Sequence, residues 1–255
     1  MRLTRCYLPG NWAEGTTTSL PREQSDHLIK VLRLRSGAVV EIFDGEGRSW
    51  SATLTGAERG SYQLQIGAGL ADEPEPRLQL TLLQGIARGE KMDWIVQKAT
   101  ELGVHAIQPL ITEFSVVRVD AQQSARKAGH WLAVATSACE QCGRSRVPMV
   151  SAPVELRDFA SAAPAEPDTQ RWVLDPGANA SLVQAADRLR GQDAIPRRLQ
   201  IVVGPEGGLS ATELQQLLAL GATPLALGPR ILRSETAAIA ALALLQGLLG
   251  DLRSR

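Results

Sequence analysis

From residue 39 the chain alternates. VVEIFDG and SWSATLTG set apolar against polar side chains at every second position, and YQLQIG repeats the rhythm. Alternation with period two marks strands with one buried face, and DGEG between the first two is a hairpin signal. PREQSDHLIKVLRLRSG, residues 21–37, breaks the pattern as a helix, with Pro21 suited to its start and Gly37 to its end. Short strands at close spacing predict a small barrel or sandwich that ends near residue 72. ADEPEPR, residues 71–77, has two prolines among acidic residues and is a linker by composition.

Beyond the linker the period changes. LQLTLLQGIA and HAIQPLI are continuous apolar runs that predict buried strands, and EKMDWIVQKATELG and SARKAGHWLAVATSACEQCG predict helices. RWVLD, LQIVVG and TPLALG are further strands, followed in turn by the helices SLVQAADRLRG, SATELQQLLALG and SETAAIAALALLQGLLG. Strands alternating with helices predict an α/β fold whose parallel sheet is covered on both faces. The expected organisation is a smaller β-barrel domain over residues 1–72 and an α/β domain over 73–255. Ligands of such sheets bind at the carboxyl ends of the strands.

Composition narrows the function classes. The chain has 255 residues, 44% hydrophobic and 21% charged, as an ordinary globular protein has. Acidic and basic residues balance at 27 each, so a nucleic-acid site has to be a local patch and not a global field. Three cysteines, Cys6, Cys139 and Cys142, are too few for a disulfide framework. The opening MRLTRCYLPGNW has no signal-peptide stretch, and AAIAALALL falls short of the roughly 20 residues that span a bilayer. The expectation is a cytoplasmic protein with no membrane partner and no DNA partner.

The strand LQIVVG runs into GPEGGLSATE, and this turn suggests a phosphate loop. A phosphate loop needs a Lys that is missing here, and Glu206 stands where it would repel the phosphate. The spacing also fails the dinucleotide fingerprint. What remains is a loop whose backbone closely approaches something uncharged or cationic, or a tight turn with no ligand. Its helix opens with a capping box, Ser210 and Glu213. A second loop, TPLALGPRILRSETAA, repeats the design: strand, Gly-Pro, then a helix start at Ser234. The two turns are read as following neighbouring strands, which brings both to one sheet edge. Arg230 and Arg233 suit a phosphate or a developing anion.

GPEGGLSATE with LALGPRILRSETAAIAAL resembles the signature of the SPOUT methyltransferases with a trefoil-knotted C-terminal domain. More narrowly, the chain is similar to the bacterial family that methylates N3 of a uridine in small-subunit (16S) ribosomal RNA. DHLIKVLRLRSG, GIARGEKMDWIVQKATELGV, IQPLITEFSVVR and ACEQCGRSRVP carry the narrower likeness. The resemblance implies a PUA-like RNA-binding barrel, a homodimer acting on ribosomal RNA or the small subunit, and S-adenosylmethionine bent among three loops. On this chain the cofactor contacts would be Leu174; Gly204, Pro205, Glu206, Gly207 and Gly208; and Leu227, Gly228, Pro229 and Leu232. Relatives that modify another base or a ribose oxygen, or that bind RNA without catalysis, are the alternatives.

N3 of uridine is nucleophilic only as the anion. Arg230 and Arg233 can stabilise charge on the uracil oxygens, and Glu206 or Glu235 can take the proton if burial raises its pKa. Glu235 can equally serve as charge at a helix N-terminus. No metal is needed. Lys30, Arg33 and Arg35, Arg88 and Lys91, and Arg144 and Arg146 are candidates for RNA phosphate contacts. CEQC lacks a second ligand pair for zinc and reads as packing. His27, His105 and His130 are scattered and receive no role. The helix over 237–249 is apolar nearly all round and has to be buried, in the core or between subunits.

Overall fold

The computed structural model describes residues 3–26, 28, 32–58, 61–71, 76–115, 121–162, 168–191 and 195–253. The chain divides into two compact units. The first is Met1–Pro74 together with Thr136–Val147, and the second is Glu75–Ala135 with Pro148–Arg255.

In the first unit the alternating segments form β3 (Val39–Phe43), β4 (Ser49–Glu58) and β5 (Ser61–Gly69). Two short strands complete the sheet, β1 (Arg5–Tyr7) and β2 (Thr17–Ser19), in the order β1-β3-β4-β5-β2. Three residues are too few to show a period, which is why the sequence pattern passes over β1 and β2. Register shifts at Trp50/Ala52 and Leu54/Gly56 bend β4 and give the sheet its barrel-like curl. The inward set is Val40, Ile42, Leu54, Leu64 and Ile66, with Leu20 and Leu28 closing over it.

The helix expected over residues 21–37 ends earlier than its sequence pattern. α1 spans Arg22–Asp26 and Leu28 is still helical, while residues 27 and 29–31 lie outside the described residues. Arg33 has φ +52° and Gly37 φ +88°, so the chain turns left-handed twice where a helix would have continued. Leu34 N–H donates back to Leu28 O, and Ala38 N–H to Arg35 O.

Residues 136–147 belong to this first unit through specific bonds. The Arg5 guanidinium meets Glu41 at 2.6 Å and donates to Ser145 Oγ at 3.0 Å and Arg144 O at 3.2 Å. Tyr7 N–H donates to Glu140, and Val147 N–H to Gly45 O. Cys139 is buried, and its thiol donates to Arg146 O, the packing role expected of CEQC. Burial, and then the Glu140 carboxylate, pushes the Cys6 thiol up to about 12.

The second unit follows the expected alternation: β6 (Gln79–Gly85), α2 (Lys91–Glu101), β7 (Ala106–Ile111) and α3 (Ala121–Cys142), whose last turns lie in the first unit. Next come β8 (Met149–Val150), β9 (Val154–Glu155), α4 (Leu156–Ala162), β10 (Thr169–Leu174) and α5 (Leu182–Gly191). β11 (Arg198–Val203), α6 (Ala211–Ala219), β12 (Thr223–Leu225) and α7 (Ser234–Leu248) complete the unit. The sheet order is β12-β10-β11-β6-β7-β8, with β9 also on β7, and every pairing is parallel. Leu83, Leu110, Val173 and Val202 face Leu156 of α4 and Leu217 of α6. α2, α5 and α7 pack together, with α7 against β6 and β11.

One expectation about this sheet is corrected. β11 and β12, which lead into the two Gly-Pro loops, are not neighbours, because β10 lies between them. The loop after β10 flanks the end of β12 instead: Asp175 N–H donates to Leu225 O, and Leu182 N–H to Ala226 O. All three strands still end on the same side, because the sheet is parallel. α7 buries Ala238, Ala241, Leu242 and Leu245, while Leu244 on its other side is exposed.

Arg5 and Glu41 are almost removed from water, with side chains 6% and 15% exposed. Arg5→Ala strands the Glu41 charge and should lower unfolding stability by about 3 kcal/mol, the usual cost of breaking a buried pair. Urea unfolding followed by tryptophan fluorescence measures it.

Candidate active site

The capping box read from the sequence forms at the start of α6. Ser210 Oγ accepts from Glu213 N–H, and Glu213 Oε2 accepts from Ser210 N–H. The other oxygen, Glu213 Oε1, accepts from Glu113 N–H at 2.8 Å, so one carboxylate ties the β7 loop to the GPEGG loop. Gly208 sits at φ +75°, a backbone that favours glycine. At Gly85 a Cβ would lie 2.5 Å from Pro205 Cδ, so glycine there lets the GPEGG loop settle on the end of β6. The glycine at 207 has an internal reason as well, since a Cβ would meet Phe114 at 2.8 Å.

The two Gly-Pro loops are joined by a buried hydroxyl. Ser234 Oγ donates to Gly204 O at 2.6 Å and accepts from Gln84 Nε2 at 3.0 Å. Ser234 therefore does not cap α7; Arg233 is the N-cap residue, without a side-chain cap bond.

Between the loops lies a cavity of about 590 Å³. Leu174, Gly204, Pro205, Glu206, Gly207 and Gly208 form one part of its wall, and Leu227, Gly228 and Leu232 another. Arg230 and Arg233 line it too, both exposed and without an ion-pair partner among the described residues. Pro229 is exposed and outside the wall. The sequence reading missed Asp175 and Pro176 in the wall, and the tie through Gln84 and Ser234. A glutamine ending the apolar run LQLTLLQ was the available signal for that tie.

Three charged side chains gather at one edge. Lys91 Nζ lies 3.0 Å from Glu206 Oε1 and 3.7 Å from Glu235 Oε1. Arg88 N–H also donates to Glu206 Oε1, at 3.2 Å. Burial alone would raise the Glu206 pKa, but backbone hydrogen bonds and Lys91 outweigh it and hold the carboxyl below its ordinary value. The condition attached to Glu206 as a proton acceptor, a raised pKa, is therefore not met. Glu235 lies just outside the wall, and its Oε2 is buried with no hydrogen-bond partner.

Lys91, considered from the sequence as an RNA contact, has its charge engaged by the two glutamates. Arg88 is exposed in the same loop. Arg33, Arg35 and Arg146 are exposed in the first unit, and Arg144 there is half-buried. Lys30 and His27 lie outside the described residues. His130 joins α3 to α2 through Asp93 at 2.8 Å.

A parallel α/β sheet with a ligand-sized cavity at its carboxyl edge, walled by glycine-rich backbone and edged by paired charges, defines a small-molecule site. Residues 73–246 match the family model for an RNA methyltransferase domain, and residues 20–67 match an RNA methyltransferase PUA domain. The chain belongs to this RNA methyltransferase family. It is 33% identical to the ribosomal RNA small subunit methyltransferase E of Synechocystis, over 91% of this chain and 74% of that one. It is 29% identical to the Bacillus subtilis protein of the same name, over 90% and 89%. A methyltransferase structure from Legionella pneumophila with bound SAM superposes with TM-score 0.89 at 35% identity, over 98% of this chain and 100% of that one. The Neisseria gonorrhoeae methyltransferase E bound to S-adenosyl methionine gives 0.86 at 35% identity, over 98% and 99%.

A carboxylate with a lowered pKa adds stability that is present at neutral pH and lost as pH falls through the folded-state value. Glu206→Gln should lower the melting temperature at neutral pH, and the gap to the parent protein should close as the solution is acidified below the ordinary carboxylate range. Differential scanning fluorimetry across pH reads this directly.

Proposed function

We propose that this chain transfers the methyl group of S-adenosylmethionine to N3 of a uridine in small-subunit (16S) ribosomal RNA. The observation that carries the reading is the meeting of the GPEGG and LGPRIL loops around one cavity, in a chain whose relatives of known structure hold this cofactor. The residues fit the group. The cavity is within the size range of small-molecule sites. Gly204, Gly208 and Gly228 present bare backbone to it, and Leu174, Leu227 and Leu232 offer apolar wall. When bound, the cofactor supplies an electrophilic methyl on a sulfonium.

The chain's own part is to position the base and manage a proton. Transfer needs N3 as the anion, so its proton has to leave and the charge on the flanking carbonyls has to be held. Arg230 and Arg233, at the wall with no other partner among the described residues, stabilise that charge. Of the two glutamates, Glu235 is the better proton acceptor. Its Oε2 is buried and lacks a donor, and such a group in a native structure calls for a role. Glu206 is spent on Arg88 N–H and Lys91, and its work is to hold the GPEGG loop closed.

In this reading residues 1–72 hold RNA and residues 73–255 carry the transfer. Arg33, Arg35, Arg88, Arg144 and Arg146, with Lys30, serve the RNA phosphates. The enzyme works as a homodimer in the cytoplasm. No helix among the described residues is long and apolar enough to cross a membrane.

Two measurements test this. Mass-spectrometric mapping of ribosomal RNA from cells with and without the protein should show one 3-methyluridine lost in its absence. Glu235→Gln should reduce kcat by about 100-fold or more, the usual contribution of a positioned base. S-adenosylmethionine affinity by calorimetry should stay near the parent value, and the rate should recover at alkaline pH as N3 ionises unaided. Equal loss of affinity and turnover would move Glu235 out of that role.

A further inference from the structure

Ile231 is 86% exposed, the most exposed large apolar side chain among the described residues. It is no ordinary surface aliphatic, for three reasons. It stands at the wall of the cavity. It is flanked in sequence by Arg230 and, two residues on, by Arg233, both exposed and without an ion-pair partner among the described residues. It is also held out by an anchored loop. Upstream, Ala226 N–H donates to Ala180 O and Leu182 N–H to Ala226 O. Gly228 then turns left-handed at φ +76°, ahead of Pro229. Downstream, the buried Ser234 hydroxyl pins the start of α7 to Gly204. Those anchors fix both ends of the loop on which Ile231 is exposed.

An apolar side chain fixed in water gains only when something covers it. The two arginines indicate what that is. Unpaired guanidiniums on either side of the isoleucine suit a polyanion that also presents an apolar face, and an RNA strand has both phosphates and base faces. The proposed chemistry adds a need. N3 lies on the Watson–Crick edge of uracil, so a paired or stacked uridine has to leave its place before N3 can reach the cavity. Aliphatic side chains inserted between bases fill the gap that such a nucleotide leaves.

We propose that Ile231 is an apolar wedge that enters the RNA stack beside the target uridine, next to the two arginines that hold the displaced base. This rests on the RNA-methylating function proposed above, but it concerns how the base is reached and not how the methyl is moved.

The test uses the full-length protein and two synthetic RNAs. In one the uridine is single-stranded, and in the other it is paired within a duplex; both carry 2-aminopurine as its neighbour. Binding of the parent protein to the duplex should raise 2-aminopurine emission as the stack opens. Ile231→Ala should lose most of that rise and lower kcat/KM on the duplex about tenfold further than on the single strand. Ile231→Leu should restore both. Because the emission signal needs no turnover, it separates the two ideas. An emission rise without methylation defeats the proposed reaction and leaves the wedge standing. Emission that does not change when the parent protein binds, or that is the same for Ile231→Ala, overturns the wedge. So does a shift of Ile231→Ala to a different oligomeric state in sedimentation, which would assign Ile231 to contact with a second copy.

Discussion

One buried hydroxyl holds the cavity's geometry together. Ser234 Oγ lies where the end of β6, the GPEGG loop and the start of α7 converge, and it bonds to two of them at once. The three segments come from residues 84, 204 and 234, far apart in sequence, and bring an amide, a backbone carbonyl and a hydroxyl to one point. Leaving a partner such as the Gly204 carbonyl unpaired would cost about 1–3 kcal/mol. The Ser234 hydroxyl therefore fixes three distant segments against one another, while Gln84 Oε1 and Glu235 Oε2 beside it are buried without a hydrogen-bond partner.

Steric fit then sharpens what the hydroxyl aligns. Gly85 accepts Pro205 at a distance no side chain would allow, and Gly207 does the same for Phe114. The loop is pressed between two neighbours and tied through Glu213 and Glu206 to two further loops. Its glycines serve the protein's own packing as much as any ligand. The reading as a tight turn has these contacts behind it, and backbone approach to a ligand belongs to the proposed function.

The parallel sheet was legible because its strands are buried on both faces and read as unbroken apolar runs. The capping box at Ser210 and Glu213 was legible because it is local. Pairings that depend on the third dimension were not. That β10 separates β11 from β12 cannot be read from two similar Gly-Pro turns. Nor can the capture of Lys91 by Glu206 and Glu235, which lie more than a hundred residues downstream. The early end of the helix expected over 21–37 is of the same kind, since propensity does not show the left-handed turns at Arg33 and Gly37. β1, β2, β8 and β9 are too short to carry a period at all.

The first unit is assembled from two separated stretches, Met1–Pro74 and Thr136–Val147. Chains emerge from the ribosome N-terminus first, and units that need only their own early residues can fold as they appear. This one cannot finish that way. Arg5 has to wait for Ser145, and Tyr7 for Glu140, while the intervening β6, α2 and β7 are synthesised. The nascent barrel therefore spends that interval with its edge open, and its completion is timed by translation of the unit that follows it.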